Sequence, residues 1–287
     1  MTSSLRQRQI LLGGLPKTGK TSFLALLYSA IANGQATGLA LGHHRDDREY
    51  LNEIAERLMR CEEAVHTEVA EERELRLSLD LGDDKEEAVL RIPDLSGETW
   101  EHVATDREWS LEMEAEADRS EGFLIFVHST KIDAHPSIAQ VDAAAQALGA
   151  PARSTAPTRK KVDSKPALPP TQVHVVDALQ LICEERSSRP SRAGIVVSAW
   201  DLVDGTPADW LARECPLVSQ YAAANAGWLE LRAWGVSAQG GKFGTKASRT
   251  RLAKLDTVDR AQVIHADGTP GNVADPVLWI LRDGDSR

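Results

Sequence analysis

The chain has 287 residues, 42% of them hydrophobic and 26% charged, with 20 Gly and 13 Pro, a composition that fits one large globular domain and excludes collagen, coiled coil and wholesale disorder. A formal charge of −10 opposes phosphate backbones and anionic membranes, which argues against a dedicated nucleic-acid binder. Cys61, Cys183 and Cys215 are too scattered for a disulfide framework or a metal knuckle, no segment reads as a leader or reaches the ~20 apolar residues of a membrane span, and a cytoplasmic location is expected.

Residues 9–12 form a short apolar run that ends in glycines and predicts a strand. Over 21–33, Phe23, Leu24, Leu26, Leu27, Ala30 and Ile31 crowd one side of a helix, with Gly34 as its stop. Leu51, Ile54, Leu58, Cys61 and Val65 recur every three or four residues, so 46–65 reads as an inserted amphipathic helix whose charges form a solvated outer face. The period then falls to two: Leu75, Leu77, Leu79 and Leu81, then Ala88, Leu90 and Ile92, predict a hairpin turning at 82–85 and leading to Pro93-Asp94. A helix over 99–117 and a buried strand over 122–127 follow.

Residues 149–170, rich in Pro, Ala, Ser and Lys, are expected to be a flexible insertion. Beyond it we expect a helix over 171–186, a buried strand over 193–197 and a helix opened by Thr206-Pro207 that kinks near Pro216. A last strand over 228–234, a basic stretch over 242–254 and a docking helix over 275–281 complete the chain. The whole reads as a single domain over 1–287, with a core over about 8–240 and a C-terminal extension over 241–287.

The strongest motif, Gly14-Leu-Pro-Lys-Thr-Gly19-Lys20-Thr21, fits G-x-x-x-x-G-K-[ST] between a strand and a helix. Its glycines let the backbone N–H groups of Gly14, Pro16-Lys17-Thr18 and Gly19 to Ser22 wrap a polyphosphate, proline excepted, and the helix N-terminus faces the same anion. Lys20 would bridge the β- and γ-phosphates and the Thr21 hydroxyl would bind Mg²⁺. Asp94-Leu-Ser-Gly97-Glu98, about 75 residues later at a strand end, fits D-x-x-G. There Asp94 would hold the metal, and the Gly97 N–H would sense the γ-phosphate.

With Ser198-Ala-Trp-Asp201 after a buried strand and Ser237-Ala238 after the next, the chain resembles GTPases of the Ras-like and translation-factor class. Asp201 falls on the aspartate of their N/T-K-x-D box, which accepts from guanine N1 and N2, and Ser237-Ala238 falls on the box that touches O6. Ala199 stands where that class carries lysine, which removes the stem that packs across the base; Trp200 is either a stacking substitute or a core indole. More narrowly, the GLPKTGKTSFLALLY, DLSGE and AWD segments are similar to the prokaryotic double-GTPase family of bacterial conflict and defence systems.

The resemblance implies a three-layer α/β P-loop NTPase of Ras-like type, with a mixed sheet of about six strands and helices on both faces. It implies GTP or GDP with Mg²⁺ as ligands and slow hydrolysis. It also implies a protein partner, whether activator, effector or second GTPase, since the chain holds one P-loop. Glu98 takes the place of the water-orienting glutamine, either as a weaker water-positioner or as a cap of the next helix, and Thr67 is the best-placed switch threonine for the metal. An ATP-dependent ATPase or kinase, or a nucleotide-bound scaffold that does not hydrolyse, remain the alternative readings.

Overall fold

The run Arg8–Gly13 forms strand β1, in which Ile10, Leu11 and Leu12 are completely buried. The computed structural model describes residues 8–42, 47–62, 75–81, 87–92, 100, 103, 105–133, 169–185 and 191–281. Helix α1 (Lys20–Ala32), β2 (Ala40–Leu41), α2 (Arg48–Met59), β3 (Leu75–Asp80) and β4 (Glu87–Ile92) come next. They are followed by α3 (Leu111–Arg119), β5 (Gly122–His128), α4 (Thr171–Glu185) and β6 (Ser191–Ser198). After a 3-10 turn (Trp200–Leu202) come α5 (Pro207–Glu214), α6 (Pro216–Ala224), β7 (Leu229–Ser237), α7 (Lys246–Leu252), α8 (Thr257–Arg260), β8 (Gln262–Ile264) and α9 (Asp275–Leu281).

The strands make one sheet in the order β2-β3-β4-β1-β5-β6-β7-β8. β4, β1, β5, β6 and β7 run parallel, so the ends of all five reach the same edge. β2, β3 and β8 join antiparallel. The sheet therefore has eight strands where about six were expected. The additions, β2 and β8, are two and three residues long, too short for alternation to register in a sequence.

Side-chain alternation assigns the two faces. Ile10, Leu12, Leu124, Phe126 and Val196 enter one core with α1, α2 and α9. Leu11, Phe123, Ile125, Val127, Ile195 and Val197 enter the other with α3, α4, α5 and α6. Each such fully buried side chain contributes about 1.5–3 kcal/mol relative to exposure.

Two expected helices are interrupted. The stretch 99–117 is helical at Trp100, Val103, Thr105 and Asp106, leaves the helix over 107–110 and restarts as α3. The break has a cause at each end: Arg107 takes φ 58°, and the Ser110 hydroxyl accepts from Met113 N–H at 3.3 Å as a new N-cap. The expected kink at Pro216 is a full break: α5, capped by Thr206 at Asp209 N–H (3.1 Å), ends at Cys215, and Pro216 opens α6.

The strand expected over 228–234 runs to Ser237 and is not the last, since β8 pairs beside it. The docking helix over 275–281 is α9, with Trp279 tilted on Trp234 at 5.2 Å and its carbonyl accepting from Arg192 Nη1 at 3.3 Å. The turn at 82–85 and the insertion up to 168 lie outside the described residues. Among the described residues, no helix is long and apolar enough to cross a membrane.

Candidate functional site

β1 delivers the chain to the sheet edge, where 14–19 loop into α1. The loop takes positive φ at Gly14 (134°), Lys17 (61°) and Gly19 (94°), which the two glycines adopt without strain and Lys17 adopts with a side chain. Gly19 also lies against β6: a Cβ there would stand 2.8 Å from Ser198 Cβ. Within the loop, Thr18 Oγ1 donates to Leu15 O at 2.7 Å and is buried, whereas Pro16 is half-buried and Lys17 exposed. Lys20 is 3% exposed and its ammonium donates to Gly14 O at 2.6 Å and Leu15 O at 3.0 Å, so the cation lies inside the turn of its own loop.

Thr21 and Ser22, both half-buried, open α1. Gly19 brings no side-chain cap, and the first turn carries no acidic residue. The helix N-terminus thus presents its donors and its positive end to an anion with no competing carboxylate on its own turn.

Asp94, Gly97, Glu98 and Thr67 lie outside the described residues, whereas Ile92 and Trp100, which flank that stretch, lie within them. Ile92 ends β4, which pairs in parallel with β1, so β4 ends at the sheet edge that carries the phosphate loop. Trp100 is 1% exposed and so close to β1 that a Cβ on Gly13 would lie 1.7 Å from its ring. Only glycine fits there. Trp109 meets Trp100 edge-on at 6.4 Å, and so does His174 from α4.

Trp100 Nε1, Trp109 Nε1 and both His174 ring nitrogens have no hydrogen-bond partner among the described residues. Burial pushes the His174 pKa down to about 4; Asp177 works against the shift and the nearby Lys20 charge adds to it. The histidine is therefore neutral at physiological pH. Asp177 in turn accepts from Arg107 Nε at 3.1 Å. Sequence reasoning missed this group, because an isolated histidine on an apolar helix face carries no signal.

At the ends of β6 and β7 the other two boxes meet. Ser237 donates its hydroxyl to Asp201 Oδ1 at 2.5 Å and accepts from Gly240 N–H at 3.1 Å. Ser237 is 1% exposed and Ala238 is buried beside it, while Asp201 faces solvent with its carboxylate oriented by that hydroxyl. Ala199 takes φ 51° at the turn, and its carbonyl accepts from Ser129 Oγ at 2.8 Å. Trp200 is buried in the second core against Gly235, where a Cβ would lie 2.2 Å from the indole. Of the two fates open to it, the core indole is the one observed.

Five parallel strands ending at one edge, with a glycine loop on the first, place the protein among the P-loop nucleotide-binding folds, on a mixed sheet with helices on both faces. The chain belongs to the Double-GTPase 1 family, whose model matches residues 11–280. Among solved structures it is similar to a bacterial selenocysteine-specific elongation factor, EF-Sec, at 11% identity and a TM-score of 0.35. That alignment covers 87% of this chain and 28% of the elongation factor's, so the chain spans little more than a quarter of its length. No curated protein matches the chain.

Proposed function

We propose that the protein is a guanine-nucleotide switch that binds GTP with Mg²⁺ and hydrolyses it slowly. What supports this most is one arrangement: Lys20 enclosed by the carbonyls of its own loop, at the same sheet edge as Asp201 oriented by Ser237. In this reading the N–H groups of 14–22 and the Lys20 ammonium hold the phosphates, and Asp201 with the Ser237-Ala238 turn reads guanine. Thr21, Asp94 and Thr67 hold the metal, Gly97 senses the γ-phosphate, and Glu98 positions water.

Among the described residues, no cluster of three His, Cys, Asp or Glu could hold a metal. A half-buried hydroxyl at the start of α1 suits Mg²⁺ held mainly by phosphate and water. When bound, the ion neutralises charge on the β- and γ-phosphates. With no arginine assigned to the transition state, turnover is slow until a partner protein supplies one, which suits a regulatory component of a bacterial conflict system working in the cytoplasm.

Competition tests the base assignment. Labelled GTP should be displaced by GDP, and by ATP only at concentrations about 100-fold higher or more; Lys20→Ala should bind neither. Equal displacement by ATP removes the guanine assignment and favours the ATPase reading, to which the lysine-free box and the core-buried Trp200 already lend weight. Phosphate release in a single turnover, absent in Lys20→Ala, separates an enzyme from a scaffold.

A further inference from the structure

Between the start of α1 and the inserted helix α2 lies a cavity of about 210 Å³. Thr21 and Ser22, which end the phosphate loop, line one side of it, and Gln239, the residue after the Ser237-Ala238 turn, lines another. A nucleotide with its phosphates at the first place and its base at the second must lay its sugar across this cavity, because the sugar joins the two. Ala25 and Ile54, both buried, give the cavity an apolar floor.

Its α2 rim carries Glu53 and Arg57, paired at 3.0 Å one helical turn apart, with Glu62 beyond them. Two carboxylates against one guanidinium repel a polyphosphate. A neutral, hydroxyl-rich group is not repelled: sugar hydroxyls donate to carboxylates, accept from guanidinium, and leave the ring face to the apolar floor.

We infer that α2 is the wall of a nucleoside subsite, in which the sugar of a purine ribonucleotide lies on Ala25 and Ile54 and meets Glu53, Arg57 and Tyr50 at the rim, while its base reaches the Ser237-Ala238 turn. This rests on the phosphate-loop reading given above. The subsite supplies the cover across the nucleoside that neither Ala199 nor the core-buried Trp200 provides. The charges of α2, expected to form a solvated face, are then divided: Glu56 and Arg60 pair in solvent, while Glu53 and Arg57 turn to the ligand.

Calorimetry with two ligands tests it: GTP, and inorganic tripolyphosphate, which has no nucleoside, each with Mg²⁺. Ala25→Leu fills the floor, and Arg57→Ala, at a part-exposed position that leaves the fold intact, removes the rim cation. Each should weaken GTP about tenfold or more and leave tripolyphosphate within about twofold. If Arg57→Ala and Ala25→Leu bind GTP as tightly as wild type, or lose both ligands in parallel, the subsite is overturned. Lys20→Ala reports on the underlying reading independently: should it keep tripolyphosphate at wild-type affinity, the phosphates are not held at this loop at all.

Discussion

Lys20 and His174 show how differently two buried bases are treated. Loop carbonyls accept from the Lys20 ammonium at 2.6 and 3.0 Å, whereas His174 finds no acceptor among the described residues and loses its charge to burial. This has a pH consequence. Above about pH 6.5 neither the folded nor the unfolded chain protonates this ring; between there and about 4 the unfolded chain does and the folded one does not. Folding stability is therefore lost as pH falls through that window, by about 1.4 kcal/mol per pH unit at the steepest. Urea midpoints taken near neutrality and again in mildly acidic buffer should separate more in wild type than in His174→Leu; equal separations would assign the loss to other groups. Lys20, Asp201 and Ser237 were legible in the sequence because motif spacing fixes their neighbours. His174 was not, since its environment is assembled from Trp100 and Trp109, far away in the chain.

At the level of elements, α2 is held from an unexpected direction. Arg260, at the end of α8, is 4% exposed and donates to Leu58 O, to Met59 O at 3.4 Å and to Cys61 Sγ at 3.0 Å. A guanidinium there satisfies the carbonyls that a helix C-terminus leaves unpaired and meets the negative end of its dipole. The backbone of the same residue presses on the turn after Ser237: a Cβ on Gly240 would lie 2.2 Å from Arg260 O, and Gly240 N–H is the donor to Ser237. One arginine thus joins the end of the inserted helix to the turn that orients Asp201. Arg260→Met keeps the stem and removes the donors, and should cost about 2–4 kcal/mol by leaving buried acceptors unmet. Hydrogen exchange should then accelerate at α2 amides and spare β5 and β6; unchanged protection over 48–59 would show that the strut is not needed. Periodicity alone revealed α2 as an amphipathic helix, six residues shorter at its end than its pattern suggested, but a single arginine beyond the basic stretch could not be told from a solvated one.

For the molecule as a whole, the parallel centre of the sheet was readable from its apolar runs and the antiparallel β3 from its alternation, and the two short outermost strands were not. β2 and β8 are held by a few backbone hydrogen bonds instead of by a patterned face. The C-terminal region, expected as an extension, is part of the core: Val273, Ala274, Val277, Trp279, Ile280 and Leu281 are all 7% exposed or less. Removing residues from 272 onward uncovers more apolar surface than a net stability of about 5–15 kcal/mol can absorb. The shortened chain should show no cooperative thermal transition by circular dichroism, and a wild-type-like melt would place α9 outside the folding unit. α9 lies against β1, β5 and β6, the strands that lead to the site. During synthesis, then, the phosphate loop leaves the ribosome well before α9 and stays on an unfinished scaffold until α9 has followed it, so the loop's geometry is completed late although its motif is made first.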